Sequence, residues 1–270
     1  MGTGIAEAVA VAEIPVIVRD LDDSALARAG ERIDTSLARA VRGGKLDASQ
    51  AEEARERIDL TTRLDAIGES DLVIEAVPED ERLKLDVMSA IDEVVAEDAI
   101  VASNTSSIPI AELAQAIRMP ERVLGLHFFS PVPVMMLVEV VVALDTSERT
   151  VESAKAFVQK LGKRPIETKD RSGFIVNMLL VPYLMAAVRM YEEGFASRED
   201  IDNGMKLGCG HPMGPLALCD FIGLDVLYAV CDSLYEEFKR DEYAPPPLMK
   251  RMVASGRLGR KSGRGFYDYV

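Results

Sequence analysis

The chain is poor in the residues that mark several common function classes. Only two histidines occur in 270 residues, His127 and His211, so a histidine-rich metal centre is not expected. The three cysteines, Cys209, Cys219 and Cys231, form no CxxC pair and no metal-ligand spacing. Their odd number fits packing roles in a reducing compartment. With no secretory signal visible, the expected location is the cytoplasm. No apolar run is clean enough for a membrane span: the most apolar stretch, residues 174–190, carries Asn177, Pro182 and Arg189 and is expected to be a buried helix. Basic residues are outnumbered, 31 Lys and Arg against 45 Asp and Glu, a formal net charge of −14. That balance argues against wholesale binding to nucleic acid or an anionic membrane. An anionic ligand would need a local basic cluster.

What is present is ordinary globular material, 48% hydrophobic and 28% charged, long enough for about two domains. Residues 2–13 read as a helix stopped by Pro15, and 16–19 as a short strand ending at Asp20. Residues 22–41 and 50–57 read as helices, with a short strand at 60–62. The strand at 71–77 is largely apolar, as parallel sheets require. The helix at 80–97 sets Leu83, Val87, Ile91 and Val94 on one face. Strands at 99–102, 123–126 and 136–142, a helix at 147–161 and a strand at 164–168 follow. Such alternation predicts an α/β domain with a doubly wound, mostly parallel sheet over residues 1–172. Beyond Ser172 only helices are expected, at 174–193, 198–207, 215–240 and 248–256, which makes 173–270 an all-α domain.

The amino terminus looks like part of a dinucleotide-binding βαβ unit. In such a unit a glycine turn places the cofactor's pyrophosphate on a helix amino terminus, and an acidic residue ends the next strand. Gly2 and Gly4 fit the tail of that turn and Asp20 the acidic position, whereas the first strand and first glycines are absent. M-G-x-G before a helix also occurs by chance, and Asp20 alone also fits a helix N-cap region.

The stretch around which the chemistry gathers is LHFFSPVPVMMLVE, residues 126–139. His127 ends an apolar run, a Ser-Pro-x-Pro turn follows, and Glu139 lies inside the next apolar run. A charge inside an apolar strand needs a partner. A carboxylate behind an imidazole fixes its tautomer and stabilises the imidazolium, which builds a general base. Spacing alone equally fits a core histidine beside a solvated glutamate. His211, in the loop GCGHPMGP, reads as a packing residue.

Five separated segments, SNTSS at 103–107, GLHFFSPVPVMMLVEVV at 125–141, DRSGFIVNMLLVPYL at 170–184, HPMGPLAL at 211–218 and GRKSGRGFYDY at 259–269, resemble the NAD-dependent 3-hydroxyacyl-CoA dehydrogenases. The likeness runs the whole chain and is strongest to their bacterial short-chain branch, the 3-hydroxybutyryl-CoA dehydrogenases. It implies a Rossmann-like first domain lacking its first strand, NAD as cofactor, an acyl-CoA substrate and a homodimer paired through the helical domain. It makes His127 the general base at the substrate's 3-hydroxyl and Glu139 its orienting partner. Ser106, read alone a helix-capping residue, would contact the substrate oxygen, and Asn177 would face the cleft. The implied cofactor contacts are Gly2, Gly4, Asp20, Glu79, Lys84, Ser106, Ser130 and Lys261; Lys84 read alone is a solvated helix lysine. For the CoA nucleotide, Ser36 matches. The family's lysine falls on Gly43, flanked by Arg42 and Lys45, so Lys45 is the substitute expected. Asp20 favours NAD over NADP, since a carboxylate there repels the extra phosphate.

Two departures stand out. Ser130 replaces the family's usual asparagine, which predicts weaker cofactor affinity. A chain starting at this methionine would leave two strands unpaired, so the natural chain is expected to extend upstream. Rival readings are a dehydrogenase of free hydroxy acids or sugar acids with the same architecture, and a catalytically silent acyl-CoA-binding homologue.

Overall fold

Short runs, most of them rich in Val and Ile, supply the strands of the first half. These are β1 (Val16–Arg19), β2 (Ile58–Thr61), β3 (Leu72–Glu75), β4 (Ile100–Ser103), β5 (Val123–Phe128), β6 (Leu137–Val142) and β7 (Arg164–Lys169). Between them lie α1 (Gly2–Val11), α2 (Asp23–Arg42), α3 (Ala48–Glu56), α4 (Glu81–Val94), the one-turn α5 (Ile110–Leu113) and α6 (Glu148–Lys160). Helix starts follow local chemistry. The side chains of Asp22, Asp80 and Ser147 accept from the backbone N–H three residues on, and Asp47 forms a reciprocal capping box with Gln50. This computed structural model describes residues 1–269. It divides into one unit from Met1 to Asp170 and a second from Arg171 onward.

The first unit is a Rossmann-like α/β layer structure whose sheet is in two pieces. β1 pairs with β2 in parallel, and five strands run in the order β3-β4-β5-β6-β7. All pairings in the larger piece are parallel except β5–β6. Among the described residues β1 pairs only with β2 and β3 only with β4, which matches the expectation of a sheet without its first strand. β5 is buried along its whole length, with Leu124, Leu126 and Phe128 in one cluster with Ile5 and Val9 of α1 and Val151, Ala154 and Val158 of α6. That burial fixes the register: a one-residue slip would turn the polar partners of His127 away from it.

The second unit is all helix: α7 (Val176–Glu192), α8 (Arg198–Gly208), α9 (Pro215–Ile222), α10 (Leu224–Phe238) and α11 (Pro247–Ala254). The single helix expected over 215–240 is two helices. Gly223 breaks it with φ 103°, a conformation closed to ordinary L residues, and no periodicity pattern reports that break. Leu184, Met185, Leu216, Leu224, Leu234 and Met249 form the core. Cys219 and Cys231 are buried in it as packing residues, and burial pushes the Cys231 thiol up to about 12. Cys209 is exposed instead, at the end of α8, so a packing role does not extend to it. Two buried carboxylates organise the rest. Asp202 accepts from the Leu216 and Ala217 amides at the start of α9, and Asp220 accepts from the Phe266 and Tyr267 amides and the Tyr269 hydroxyl. Among the described residues no helix is long and apolar enough to cross a membrane.

Candidate active site

β5 and β6 meet in antiparallel register with His127 directly opposite Glu139. Both side chains lie on the same face of the sheet, as opposed residues must. Glu139 is fully buried and His127 is 5% exposed. Their contact is short, Nδ1 to Oε2 2.6 Å. An ionised carboxylate can only accept, so Nδ1 carries the proton and Nε2 is left with its lone pair. The Ser106 hydroxyl lies 3.1 Å from Nε2, and in that tautomer it is the donor. The Phe129 ring packs on the imidazole at 4.5 Å between centroids, fixing its other degree of freedom. A positioned base with one nitrogen held by a carboxylate and the other beside a hydroxyl can take up or deliver a proton.

Ser106 is itself held from behind. It lies in the loop after β4, whose amides and hydroxyls converge on Glu79. Oε1 accepts from the Thr105 hydroxyl at 2.6 Å, the Ser106 amide at 2.8 Å, the Ser107 amide at 3.1 Å and the Ser107 hydroxyl at 3.0 Å. Partial burial pushes the Glu79 pKa up. The Thr105 hydroxyl, the Ser106 amide and the Lys84 charge outweigh it and hold the carboxyl below its ordinary value.

Lys84 is not the solvated helix lysine that its sequence context allows. It is 1% exposed, and its Nζ donates to both oxygens of buried Glu75, at 2.8 and 3.0 Å, and to the Val77 carbonyl. Glu79 is 3.5 Å away. The Ser103 hydroxyl donates to Glu75 as well. Glu139, His127, Ser106, Glu79, Lys84 and Glu75 therefore form one polar chain across the carboxyl ends of β3, β4 and β5. This is where ligands bind in open α/β sheets.

Sequence reasoning missed several members. Glu75 ends an apolar strand as Glu139 sits inside one, so the argument applied to Glu139 would have found it. Asn104, whose side-chain oxygen accepts from the Phe128 amide at 2.9 Å, ties the serine loop to the histidine strand. It stands in the SNTSS segment, but nothing in a sequence says which residue of a polar loop turns inward. Ser103 and Thr105 are of the same kind.

The remaining predicted residues fall in other places. Gly4 lets α1 approach the 130–133 turn: a Cβ there would stand 3.1 Å from that of Val132. Gly4, Glu7, Arg32, Ser36, Ser130 and Val132 line a pocket of about 180 Å³. Burial pushes the Glu7 carboxyl up, against a hydrogen bond from Ser36 and the charge of Arg39. Arg32 and Arg39, which the sequence reading did not single out, flank Ser36 in a neighbouring open pocket. Lys45 is exposed beyond the carboxyl end of α2 and lines neither. Asp20 is exposed at the end of β1, accepting from the Leu21 amide. In the helical unit Asn177 is half-buried in the first turn of α7, and Lys261 is ion-paired with Asp225. His211 lies beside Tyr183, its Nδ1 3.2 Å from the hydroxyl, the packing role expected of it. Among the described residues no group of three or more His, Cys, Asp and Glu could hold a metal ion.

The chain is similar to known proteins over its whole length. The 3-hydroxyacyl-CoA dehydrogenase NAD binding domain matches residues 1–171, and the C-terminal domain of the same enzymes matches 173–269. A 3-hydroxybutyryl-CoA dehydrogenase of Mycobacterium tuberculosis is 49% identical over 271 residues, covering 100% of this chain and 95% of the relative. The crystal structure of M. tuberculosis FadB2 superposes with a TM-score of 0.99 at 49% identity, covering 100% of this chain and 95% of the other. That of (S)-3-hydroxybutyryl-CoA dehydrogenase from Ralstonia eutropha gives 0.95 at 46%, with the same coverage. With both domain models matched in order and relatives aligned over the full chain, this protein belongs to the 3-hydroxyacyl-CoA dehydrogenase family.

Proposed function

We propose that the protein interconverts short-chain 3-hydroxyacyl-CoA thioesters, such as 3-hydroxybutyryl-CoA, and their 3-keto partners with NAD and NADH, in fatty acid or butanoate metabolism. The observation that carries this reading is the Glu139–His127–Ser106 chain, with Nδ1 held at 2.6 Å and Nε2 facing a hydroxyl at 3.1 Å. The relatives named above act, by their names, on this class of substrate.

The residues present suit NAD. The Gly2 and Thr3 N–H groups at the start of α1 have no acceptor within the helix and suit a pyrophosphate, while Gly4 lets the helix pack against the 130–133 turn. Asp20 offers an exposed carboxylate to ribose hydroxyls, and Ser130 lines the pocket beside Gly4. When bound, NAD would supply the hydride acceptor for carbon 3, and NADH the donor in the reverse direction. The chain's own part is the proton. Nε2 of His127 takes it from the 3-hydroxyl as the C–H bond breaks, and Glu139 stabilises the imidazolium that results. The Ser106 hydroxyl, freed from Nε2 by the incoming alcohol, donates to the same oxygen. In the reverse direction the imidazolium returns the proton to the forming alkoxide. Glu79 and Lys84 act one layer behind, holding the loop that carries Ser106. Arg32, Ser36 and Arg39, which line an open pocket with Glu31 and Thr35, offer two cations to the CoA phosphates, and Lys45 lies outside that pocket.

The exposed apolar side chains Leu179, Phe195 and Leu207 of the helical unit support pairing with a second copy. Three free thiols support a cytoplasmic setting. NADH consumption with acetoacetyl-CoA, beside NADH formation from NAD with free sugar acids, tests the reading. Acetoacetyl-CoA should be reduced and free sugar acids left unoxidised; the opposite preference would replace it with the hydroxy-acid reading, and failure to bind NADH would favour a silent homologue.

A further inference from the structure

The turn that joins the histidine strand to the glutamate strand is held by a side chain with no part in the chemistry above. Lys163 stands between α6 and β7 and is 8% exposed. Its Nζ donates to the Val132 carbonyl at 2.6 Å and to the Met135 carbonyl at 2.8 Å. Among the described residues Lys163 forms no ion pair with a carboxylate, and those two carbonyls have no other hydrogen-bond donor. Burial pushes its ammonium pKa down. A buried ammonium satisfied only by carbonyls costs more than a methionine of similar length in the same space. What the charge supplies is a fastening that an apolar chain lacks.

The fastened turn has few other ties. The Val134 and Met135 amides close onto the Pro131 carbonyl at 2.9 and 3.0 Å, and the Arg164 amide reaches the Met136 carbonyl at 2.6 Å. Val132 is buried against Gly4, whereas Val134 and Met136 are exposed. Ser130, Pro131, Val132 and Pro133 form one wall of the pocket beside the start of α1. We propose that Lys163 is a positioning residue, whose ammonium clamps the 130–136 turn and so sets the ligand-facing wall without touching ligand. The inference rests on the reading that this wall meets NAD and acyl-CoA.

The test uses the full chain with Lys163→Met, Lys163→Gln, and Lys155→Met as a control from a partly exposed ion pair that joins α6 to Glu167 of β7. Amide exchange at Val134 and Met135 should quicken about tenfold or more in Lys163→Met, as one or two lost hydrogen bonds imply, while Leu126 and Val140 in the strands keep their rates. KM for NADH and acetoacetyl-CoA should rise about tenfold with kcat within about threefold, because the His127–Glu139 pair stays in register. The pH profile of kcat should not move. Lys163→Gln, which keeps a donor, should recover part of the loss, and it decides the matter alone if Lys163→Met fails to fold. Unchanged exchange and unchanged KM would overturn the proposal. So would uniformly faster exchange with kcat falling in step. An inactive wild type would refute the substrate reading, and exchange at the turn together with NADH binding would still decide the role of Lys163.

Discussion

His127 and Glu139 lie face to face across two antiparallel strands, twelve positions apart in the chain and 2.6 Å apart at their polar atoms. The hairpin turns a sequence interval into a contact, so the pair should behave as one unit. Glu139→Gln should lower kcat by roughly ten- to a thousandfold, and the double substitution with His127→Gln should cost little more than His127→Gln alone. Losses that multiply in a double-mutant cycle would separate the two residues.

Glu79 gathers the serine loop, so its effect on turnover should pass through Ser106. Glu79→Ala should lower kcat/KM by about ten- to a hundredfold, with Glu79→Gln milder because it keeps an acceptor. The sign of the pH effect follows from the depressed carboxyl. Its stabilisation is present above the unfolded value near 4.3 and is lost as pH falls through the lower folded value. Loop protection measured by amide exchange should therefore fail on the acid side in the wild type and show no such step in Glu79→Gln.

The Lys84–Glu75 pair is buried on both sides, 1% and 0% exposed. Lys84→Met strands a carboxylate and should cost about 3–5 kcal/mol in urea unfolding. Adding Glu75→Gln should return a large part of that, since the residual group is then neutral. A double variant no more stable than the single one would contradict the pairing.

At the other end of the chain, burial and the Asp220 carboxylate push the Tyr269 hydroxyl up to about 12. A folded pKa above the unfolded value near 10 means that the contribution is whole below pH 10 and is lost as pH rises through 12. Stability of the wild type should fall over that window, and Tyr269→Phe should flatten the fall.

Much of this was legible in the chain. β-branched runs and N-cap residues placed the strands and most helices, and a lone carboxylate inside an apolar strand pointed to Glu139. Gly223 was not legible, because a positive φ leaves no trace in hydrophobic periodicity. Nor was the inward turn of Lys84. Lys84 stands on α4, Glu75 at the end of β3 and Glu79 in the loop between them, and only the folded chain brings the three together. Lys163 and Asn104 were missed for a related reason: each bonds backbone of another element, and backbone atoms are silent in a sequence.

The central claim is that His127 carries the proton. The measurement that meets it most directly is turnover of acetoacetyl-CoA by His127→Gln beside NADH affinity in the same preparation. The account predicts a loss of at least about a hundredfold in kcat with NADH binding nearly unchanged. A variant that keeps near-normal turnover would contradict it.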